Sequence, residues 1–86
     1  MKIKSSISLP VYTATVTIPN DVYEMFGHLP CYEQVVVRTT STALHSGQNS
    51  YSEVEEWAEY HSQIEAQAFI DAWELQIEEW RLQWVG

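Results

Sequence analysis

The chain has 86 residues, 45% of them hydrophobic, and its 12 acidic residues against four lysines and arginines give a formal net charge of -8. This length predicts one small domain, and because no apolar run reaches about 18 residues and no signal-peptide core follows Met1, we expect neither a membrane span nor a secretory leader. The single Cys31 excludes an internal disulfide framework, so cytoplasmic residence is the default interpretation.

The N-terminal part of the chain alternates in the manner of a β-strand. Before Pro10, three apolar residues share one parity, namely Ile3, Ile7 and Leu9. After Pro10 the apolar positions move to the other parity, at Tyr12, Ala14, Val16 and Ile18. A change of parity at a proline indicates a bulge or a bend. We therefore predict a bent strand over about residues 3–18, supported by the β-branched residues of its second half.

A short helix and a second strand are predicted next. Asp21, with Glu24 three residues later, fits a capping box, and Gly27 fits a helix stop, so a helix is expected over about 20–26. The valines at 35–37 then predict a strand over about 32–40. Residues 39–49 are rich in serine and threonine and are predicted to form a loop.

The C-terminal part of the chain predicts one long helix. Residues 50–85 contain neither glycine nor proline, and Ser50 with Glu53 and Ser52 with Glu55 form two overlapping capping boxes. A helix over about 52–84 is roughly 50 Å long, whereas a globule of this chain length is only about 30 Å across. The helix must therefore break, for which residues 63–68 are the candidate segment, or project and be covered by another chain. The predicted class is α+β, with a small antiparallel sheet from 3–18 and 32–40.

The negative charge is concentrated in this predicted helix. Residues 1–49 are neutral in sum, so residues 50–86 carry the full net charge of -8. At helical spacing, one face forms a polar stripe, named here the acidic ridge: Glu53, Glu56, Tyr60, Gln63, Gln67, Asp71, Glu74 and Glu78. Like-charged neighbours at this spacing cost about 0.2–0.5 kcal/mol each, and no lysine relieves them. The acidic ridge is therefore either a solvated surface or a binding surface for a basic partner.

The charge density of the acidic ridge predicts a partial imitation of nucleic acid. Its segment carries one carboxylate per roughly 4.5 Å of helix axis. A single nucleic-acid strand has one phosphate per about 3.4 Å and duplex DNA one per about 1.7 Å. The acidic ridge is thus nearer to a single strand than to a duplex, and it could compete for a groove lined by lysine and arginine.

Two further faces of the predicted helix are apolar. The first begins with Val54, Trp57, Ala58, His61, Ile64 and Ala68 and continues weakly through Leu75 and Leu82. The second, named the aromatic face, contains Phe69, Ile70, Trp73, Ile77, Trp80 and Trp84. The aromatic face is either core or an interface. Because a strand of eight residues spans only about 27 Å, a sheet cannot cover both faces, so we expect a homodimer or a partner to bury part of Trp73, Trp80 and Trp84.

Catalytic and metal-binding motifs are not found. The chain lacks a glycine-rich phosphate loop, a Gly-x-Ser-x-Gly turn, an HExxH pair and a CxxC pair. His28 and Cys31 have half the spacing of a zinc site, but His45 and His61 supply no second pair. We expect His61 either to form a pair with Glu65 on the helix surface or to pack partly beside Trp57. We therefore expect no catalysis, metal or cofactor, and, since a basic stripe is lacking, no direct nucleic-acid binding.

These observations favour a small acidic inhibitor. Its size, acidity and lack of catalytic residues resemble, in composition alone, phage and mobile-element proteins that block host enzymes. The expected action is occupation of a basic, nucleic-acid-binding surface of a host protein in the host cytoplasm, by partial nucleic-acid mimicry. The alternative is a structural or assembly module that self-associates through the aromatic face, in which case the charge serves solubility.

Overall fold

The computed structural model describes residues 9–85 as strands and helices in the order β1, α1, α2, β2, β3 and α3. Their bounds are Tyr12–Ile18 for β1, Asn20–Phe26 for α1, Pro30–Thr39 for α2, His45–Ser50 for β2, Val54–Tyr60 for β3 and Gln63–Val85 for α3. The sheet order is β1-β3-β2, and both pairs are antiparallel. The predicted α+β class, with a small antiparallel sheet and a long C-terminal helix, is confirmed.

β1 forms the strand that its alternation predicts. Ala14, Val16 and Ile18 are buried, while the threonines between them are exposed. Strand prediction is therefore confirmed for Tyr12–Ile18, whereas residues 9–11 precede the strand. The part predicted over residues 3–8 lies outside the described residues.

α1 forms at the predicted place but begins differently from the prediction. Pro19 is the residue before the helix, and no side chain caps it, so the Asp21 capping box is wrong. Gly27 ends the helix as predicted, and its N–H donates to the carbonyl oxygen of Tyr23 at 2.7 Å. A Cβ atom on Gly27 would lie 2.6 Å from the Tyr23 ring, so only glycine fits beneath that ring.

α2 replaces the strand predicted over 32–40, and that prediction is wrong. Pro30 occupies the first turn, where its missing N–H is not needed. Glu33 lies in the first turn and Arg38 in the last, which matches the helix dipole. Tyr32 and Val35 are buried on one face of α2. The burial of this face outweighs the modest β-preference of the valines.

β2, His45–Ser50, lies almost entirely within the segment predicted as a loop, so that prediction is wrong over residues 45–49. Its sequence is HSGQNS, which has no apolar alternation. The strand is held by its pairing with β3 at the edge of the sheet. Backbone hydrogen bonding, rather than side-chain burial, therefore determines this strand.

β3 occupies the first part of the predicted long helix, and the helix prediction is wrong there. Val54, Glu56, Ala58 and Tyr60 are buried, while the residues between them are half-buried. α3 begins only at Gln63, after Ser62, whose Oγ accepts the N–H of Glu65 at 3.3 Å. The helix has 23 residues, roughly 34 Å of length. The expected helix break at 63–68 is wrong, because α3 is continuous through these residues and the change from strand to helix falls at residues 61–62.

The core lies between the helices and one face of the sheet. α3 crosses β1 and β3, and an aromatic cluster fills the space beneath the short helices. Phe26 stacks on Trp80 with ring centroids 5.0 Å apart, and Tyr32 lies 5.2 Å from Trp73. Aromatic pairs at these distances add stability beyond area burial. The opposite face of the sheet carries the exposed threonines of β1.

Candidate functional site

The structure does not bring the acidic ridge together. Glu53 lies before β3, and Glu56 and Tyr60 are buried on the core side of β3. The carboxylates that do share an exposed helical surface are Asp71, Glu74 and Glu78. The acidic ridge as one continuous stripe is therefore wrong, and the charge density derived from it does not apply.

The aromatic face is part of the core of the chain. Phe69, Trp73 and Trp80 retain 2%, 0% and 3% of their accessible surface. Ile70 and Ile77 are half-buried and pack against the same core, while the side chain of Trp84 lies outside the described residues. The prediction that Trp73 and Trp80 are left for a partner to bury is wrong. The homodimer itself stays a prediction, without that argument for it.

A different face of α3 points away from the core. Ile64, Leu75 and Leu82 are exposed to 82%, 60% and 70%. Ala68, Asp71 and Glu78 are exposed between them, and the six residues recur along α3 at alternating spacings of four and three. This surface, named the outer stripe, consists of Ile64, Ala68, Asp71, Leu75, Glu78 and Leu82. It follows the helix for roughly 27 Å. Its apolar members, Ile64, Ala68, Leu75 and Leu82, all belong to the first apolar face that the sequence predicts.

Negative charge dominates the margins of the outer stripe. Glu74 lies beside it on one flank, and Glu65 and Glu79 lie on the other. The described residues include all 12 acids of the chain but only two of its four basic residues, Arg38 and Arg81. Arg81 is 3.3 Å from Asp21 in an exposed ion pair. Arg38 lines surface hollows with Ala68 and Leu75, on the same flank as Glu65 and Glu79. The outer stripe is thus an apolar seam whose margins carry more acids than bases.

The open face of the sheet is a second acidic surface. Glu55 and Glu59 lie on either side of Trp57 along β3, and all three are half-buried. The Trp57 ring covers Gly47, where a Cβ atom would lie 2.7 Å from it. Next to β3, β1 contributes a row of exposed threonines. Carboxylates and threonines without basic side chains do not fit a nucleic-acid backbone.

Glu56 is a charged residue on the core side of the central strand, where it is 5% exposed. The hydroxyl of Tyr32 donates to its Oε2 at 2.5 Å, and the side-chain amide of Gln48 donates to the same oxygen at 2.6 Å. Both partners donate, so Oε2 accepts two hydrogen bonds. Burial, and then the bond to Glu56, raises the pKa of Tyr32 well above its ordinary value. The hydroxyl therefore stays protonated and keeps donating.

Glu56 lines an open cleft between α2 and β2, named the Glu56 cleft, with a volume of about 390 Å³. Tyr23 forms an aromatic wall and meets the buried ring of Tyr32 edge to face, with ring centroids 5.5 Å apart. Glu33 and Gln48 also line it. Among the described residues that line this cleft, none is basic. A helical period over residues 54–60 places Glu56 on the surface, so the sequence pattern alone does not predict this cleft.

The remaining candidate residues do not form a site. His61 lies outside α3, and its Nδ1 is 3.0 Å from the carbonyl oxygen of Pro10, so the expected surface pair with Glu65 is wrong. Cys31 is half-buried and His28 is exposed. Within residues 9–85, no group of three or more His, Cys, Asp or Glu is arranged to hold a metal ion. None of the helices described there is long and apolar enough to cross a membrane.

Comparison with known proteins supplies no relative. No family model, no curated protein and no solved structure matches this chain. A function must therefore be argued from the outer stripe and the Glu56 cleft.

Proposed function

We propose that the protein is a non-enzymatic binding protein whose outer stripe docks against a basic amphipathic helix of a partner protein. The observation that supports this is the exposure of Ile64, Leu75 and Leu82 at regular spacing on α3. Exposed apolar patches rimmed by polar residues mark interaction sites. An ordinary solvent-facing helix surface would carry polar residues at these positions.

The spacing of the outer stripe suits a helical partner. Its members alternate by four and three residues over roughly 27 Å. This is the pattern by which two helices mesh side by side, each apolar residue filling a space between residues of the other. A helix of about 18 residues covers the same length.

The charges of the outer stripe favour a basic partner over a second copy. Asp71 and Glu78 lie within the seam itself, and Glu74 lies beside it. A partner with lysine or arginine opposite these carboxylates gains attraction, whereas a second copy brings like charges together. Self-association through the aromatic face, the alternative from the sequence, requires Trp73 and Trp80 to leave the core.

Inhibition of a host nucleic-acid-binding protein in the cytoplasm, which the composition favours, is one case of this proposal. Basic helices are common on nucleic-acid-binding proteins, and occupying one would block it. Close imitation of nucleic acid has less support. Asp71, Glu74 and Glu78 are about 4.5 and 6 Å apart along the axis, wider than the roughly 3.4 Å between phosphates of one strand. Leu75 and Leu82 also have no counterpart in a phosphate backbone.

A designed peptide tests the proposal directly. The probe is a helical peptide of leucine and lysine with the same four-three spacing, and binding is measured by calorimetry. We expect saturation at one peptide per chain and weaker binding as salt rises past about 0.15 M, where the screening length is about 8 Å. Replacing Asp71 and Glu74 with lysine should weaken binding by at least about tenfold, or about 1.4 kcal/mol. Far-UV circular dichroism should stay unchanged.

The matched control reverses charge on the open sheet face. Glu55→Lys with Glu59→Lys changes the net charge by the same amount but leaves α3 untouched. If both double variants weaken binding equally, the peptide responds to net charge and the proposal fails. A second variant, Leu75→Ser with Leu82→Ser, tests the apolar part, and unchanged affinity for it would equally contradict docking on the outer stripe.

A further inference from the structure

Packing alone does not account for the carboxylate of Glu56. Glu56 faces the core from the middle of the central strand, where its cross-strand neighbour on β1 is Val16. Its neighbours on the same face of β3 are Ala58 and Val54, both apolar. A charge at such a position loses hydration, and an apolar residue of similar volume is often neutral or stabilising. A buried carboxylate with no counter-ion among residues 9–85 is therefore a candidate for function.

The hydrogen bonds of Glu56 satisfy one of its two oxygens. Tyr32 and Gln48 both donate to Oε2. None of the described residues donates a hydrogen bond to Oε1. A carboxylate can accept about four hydrogen bonds in all. The side chain is thus held by two neutral donors and keeps capacity for a further, charged donor.

The walls of the Glu56 cleft suit an organic cation. The half-buried ring of Tyr23 lines the cleft, and aromatic rings attract ammonium and guanidinium groups. Tyr32 also lines the cleft, but its ring is 3% exposed and stacks on Trp80, so it supplies the hydroxyl that holds Glu56. Glu33 adds a second carboxylate. Within the described residues, no group of three or more His, Cys, Asp or Glu is placed to hold a metal ion. The volume of about 390 Å³ is that of a small-molecule pocket rather than of a single ion.

We infer that the Glu56 cleft binds an organic cation, a primary ammonium or guanidinium group carried by a small molecule or by a lysine or arginine side chain. The cation donates to Glu56 and packs against the ring of Tyr23. This inference does not depend on the proposed docking function, because the cleft and the outer stripe share no residue.

Amide chemical shifts of the labelled protein test this inference. The probes are butylammonium and butylguanidinium at constant ionic strength, with 1-butanol as the neutral probe of equal chain length. We expect saturable shifts at Ser46, Gly47 and Gln48, which line the cleft, and much smaller shifts with butanol. Equal responses to the ammonium and the alcohol would overturn the inference, because they would show apolar binding alone.

Two adjacent glutamates provide the matched variants. Glu56→Gln should weaken ammonium binding by at least about tenfold, because it removes the negative charge that accepts the hydrogen bond of the cation. Glu55→Gln removes the same charge from the opposite face of the same strand and should leave binding unchanged. Equal affinities for the two variants would contradict the assignment. Tyr23→Leu keeps every charge and should also weaken binding, which tests the site even if Glu56→Gln folds poorly.

The source of the cation and the independence of the site are tested in two further arms. A capped peptide with one lysine is compared with its glutamine counterpart and with butylammonium. Tighter binding of the lysine peptide assigns the cleft to a protein side chain, and tighter binding of the free amine assigns it to a small molecule.

The variant Asp71→Lys with Glu74→Lys should respond to butylammonium as the parent does. Loss of that response would show attraction by overall charge and overturn the inference.

Discussion

The aromatic face and the outer stripe of α3 lie on one helix, yet one is core and the other faces solvent. Trp73 is 0% exposed, whereas Leu75, two residues later, is 60% exposed. Both faces have apolar residues at helical spacing, so periodicity alone does not distinguish them. The difference follows from the rest of the chain: the space beneath α1 and α2 is filled by large rings, and the outer stripe has no element over it within the described residues.

The largest expected effect separates these two faces by stability. Trp73→Ala removes a fully buried ring and should destabilise the protein by about 3–5 kcal/mol, which for so small a domain approaches complete unfolding. Leu75→Ala should change stability by less than about 0.5 kcal/mol. Urea denaturation followed by circular dichroism measures both. Similar losses for the two variants would contradict the division of α3 into a core face and an outer stripe.

A milder change at Trp73 sharpens the test. Its Nε1 is buried with no hydrogen-bond partner among the described residues. Trp73→Phe keeps an aromatic ring and removes this unpaired donor, which offsets part of the lost packing. We expect a loss well below that of Trp73→Ala in the same urea experiment. A loss equal to that of alanine would mean that the Nε1 group has a partner.

The next prediction concerns a variant in which every residue of the outer stripe is apolar. Asp71→Leu with Glu78→Leu gives the whole stripe the pattern of a helix-pairing surface and removes the like charges that oppose a second copy. Light scattering should then report about twice the chain mass of 10.0 kDa, whereas the parent should remain at that mass. A parent dimer would revive the self-association alternative.

Alkaline pH distinguishes a covered tyrosine from an exposed one. The pKa of Tyr32 is raised in the folded protein. Its contribution to stability is therefore complete below about pH 10, the pKa of tyrosine in the unfolded chain, and is lost as pH rises further. Tyr32→Phe should be less stable by about 1.5–3 kcal/mol at neutral pH, and the difference should shrink above about pH 10. Tyr51→Phe, at a position 75% exposed, is the control.

Part of the alkaline loss should persist in the Tyr32→Phe variant. The pKa of Tyr60 is raised in the same direction, by burial and then by Glu65. Thermal denaturation across the pH range measures the slopes. If Tyr32→Phe and Tyr51→Phe have the same pH dependence as the parent, the hydroxyl of Tyr32 is not shielded as described.

The smallest expected effect concerns the ion pair between the ends of α1 and α3. The side chains of Arg81 and Asp21 are 47% and 41% exposed, so solvent and salt screen them. Asp21→Asn should change stability by less than about 0.5 kcal/mol at physiological salt. The melting temperature at low and high salt checks this, and a large salt-dependent loss would indicate a stronger attachment of α3.

Sequence patterns predicted the class and several elements of the fold, and the errors have physical causes. In β3, the charged Glu56 faces inward and the aromatic Trp57 faces outward. This reverses the usual arrangement of a strand, in which apolar residues face the core. The alternation of apolar and polar residues is therefore obscured, and the sequence fits a helical period better. Ser62 with Glu65 was the capping signal at the true helix start. In α2, Pro30 in the first turn indicates the start of a helix, but the valines at 35–37 favour a strand.

The candidate sites were less predictable than the fold. The acidic ridge combined residues from a loop, a strand and a helix, and only its α3 members share a surface. The apolar members of the outer stripe were recognised as one face, but their exposure depends on which face the sheet selects. The Glu56 cleft depends on contacts between Tyr32, Gln48 and Glu56, which lie up to 24 residues apart. No local pattern brings such residues together.

The position of β3 in the middle of the sheet also affects how the chain can fold. Tyr12 pairs with Tyr60, 48 positions later, so β1 has no described neighbour until most of the chain is available. Such long-range pairing slows folding, because loop closure precedes the gain from contacts. A fragment ending before residue 54 contains both outer strands without the strand between them. During synthesis, the sheet must therefore wait for β3, and its formation is a late, cooperative step.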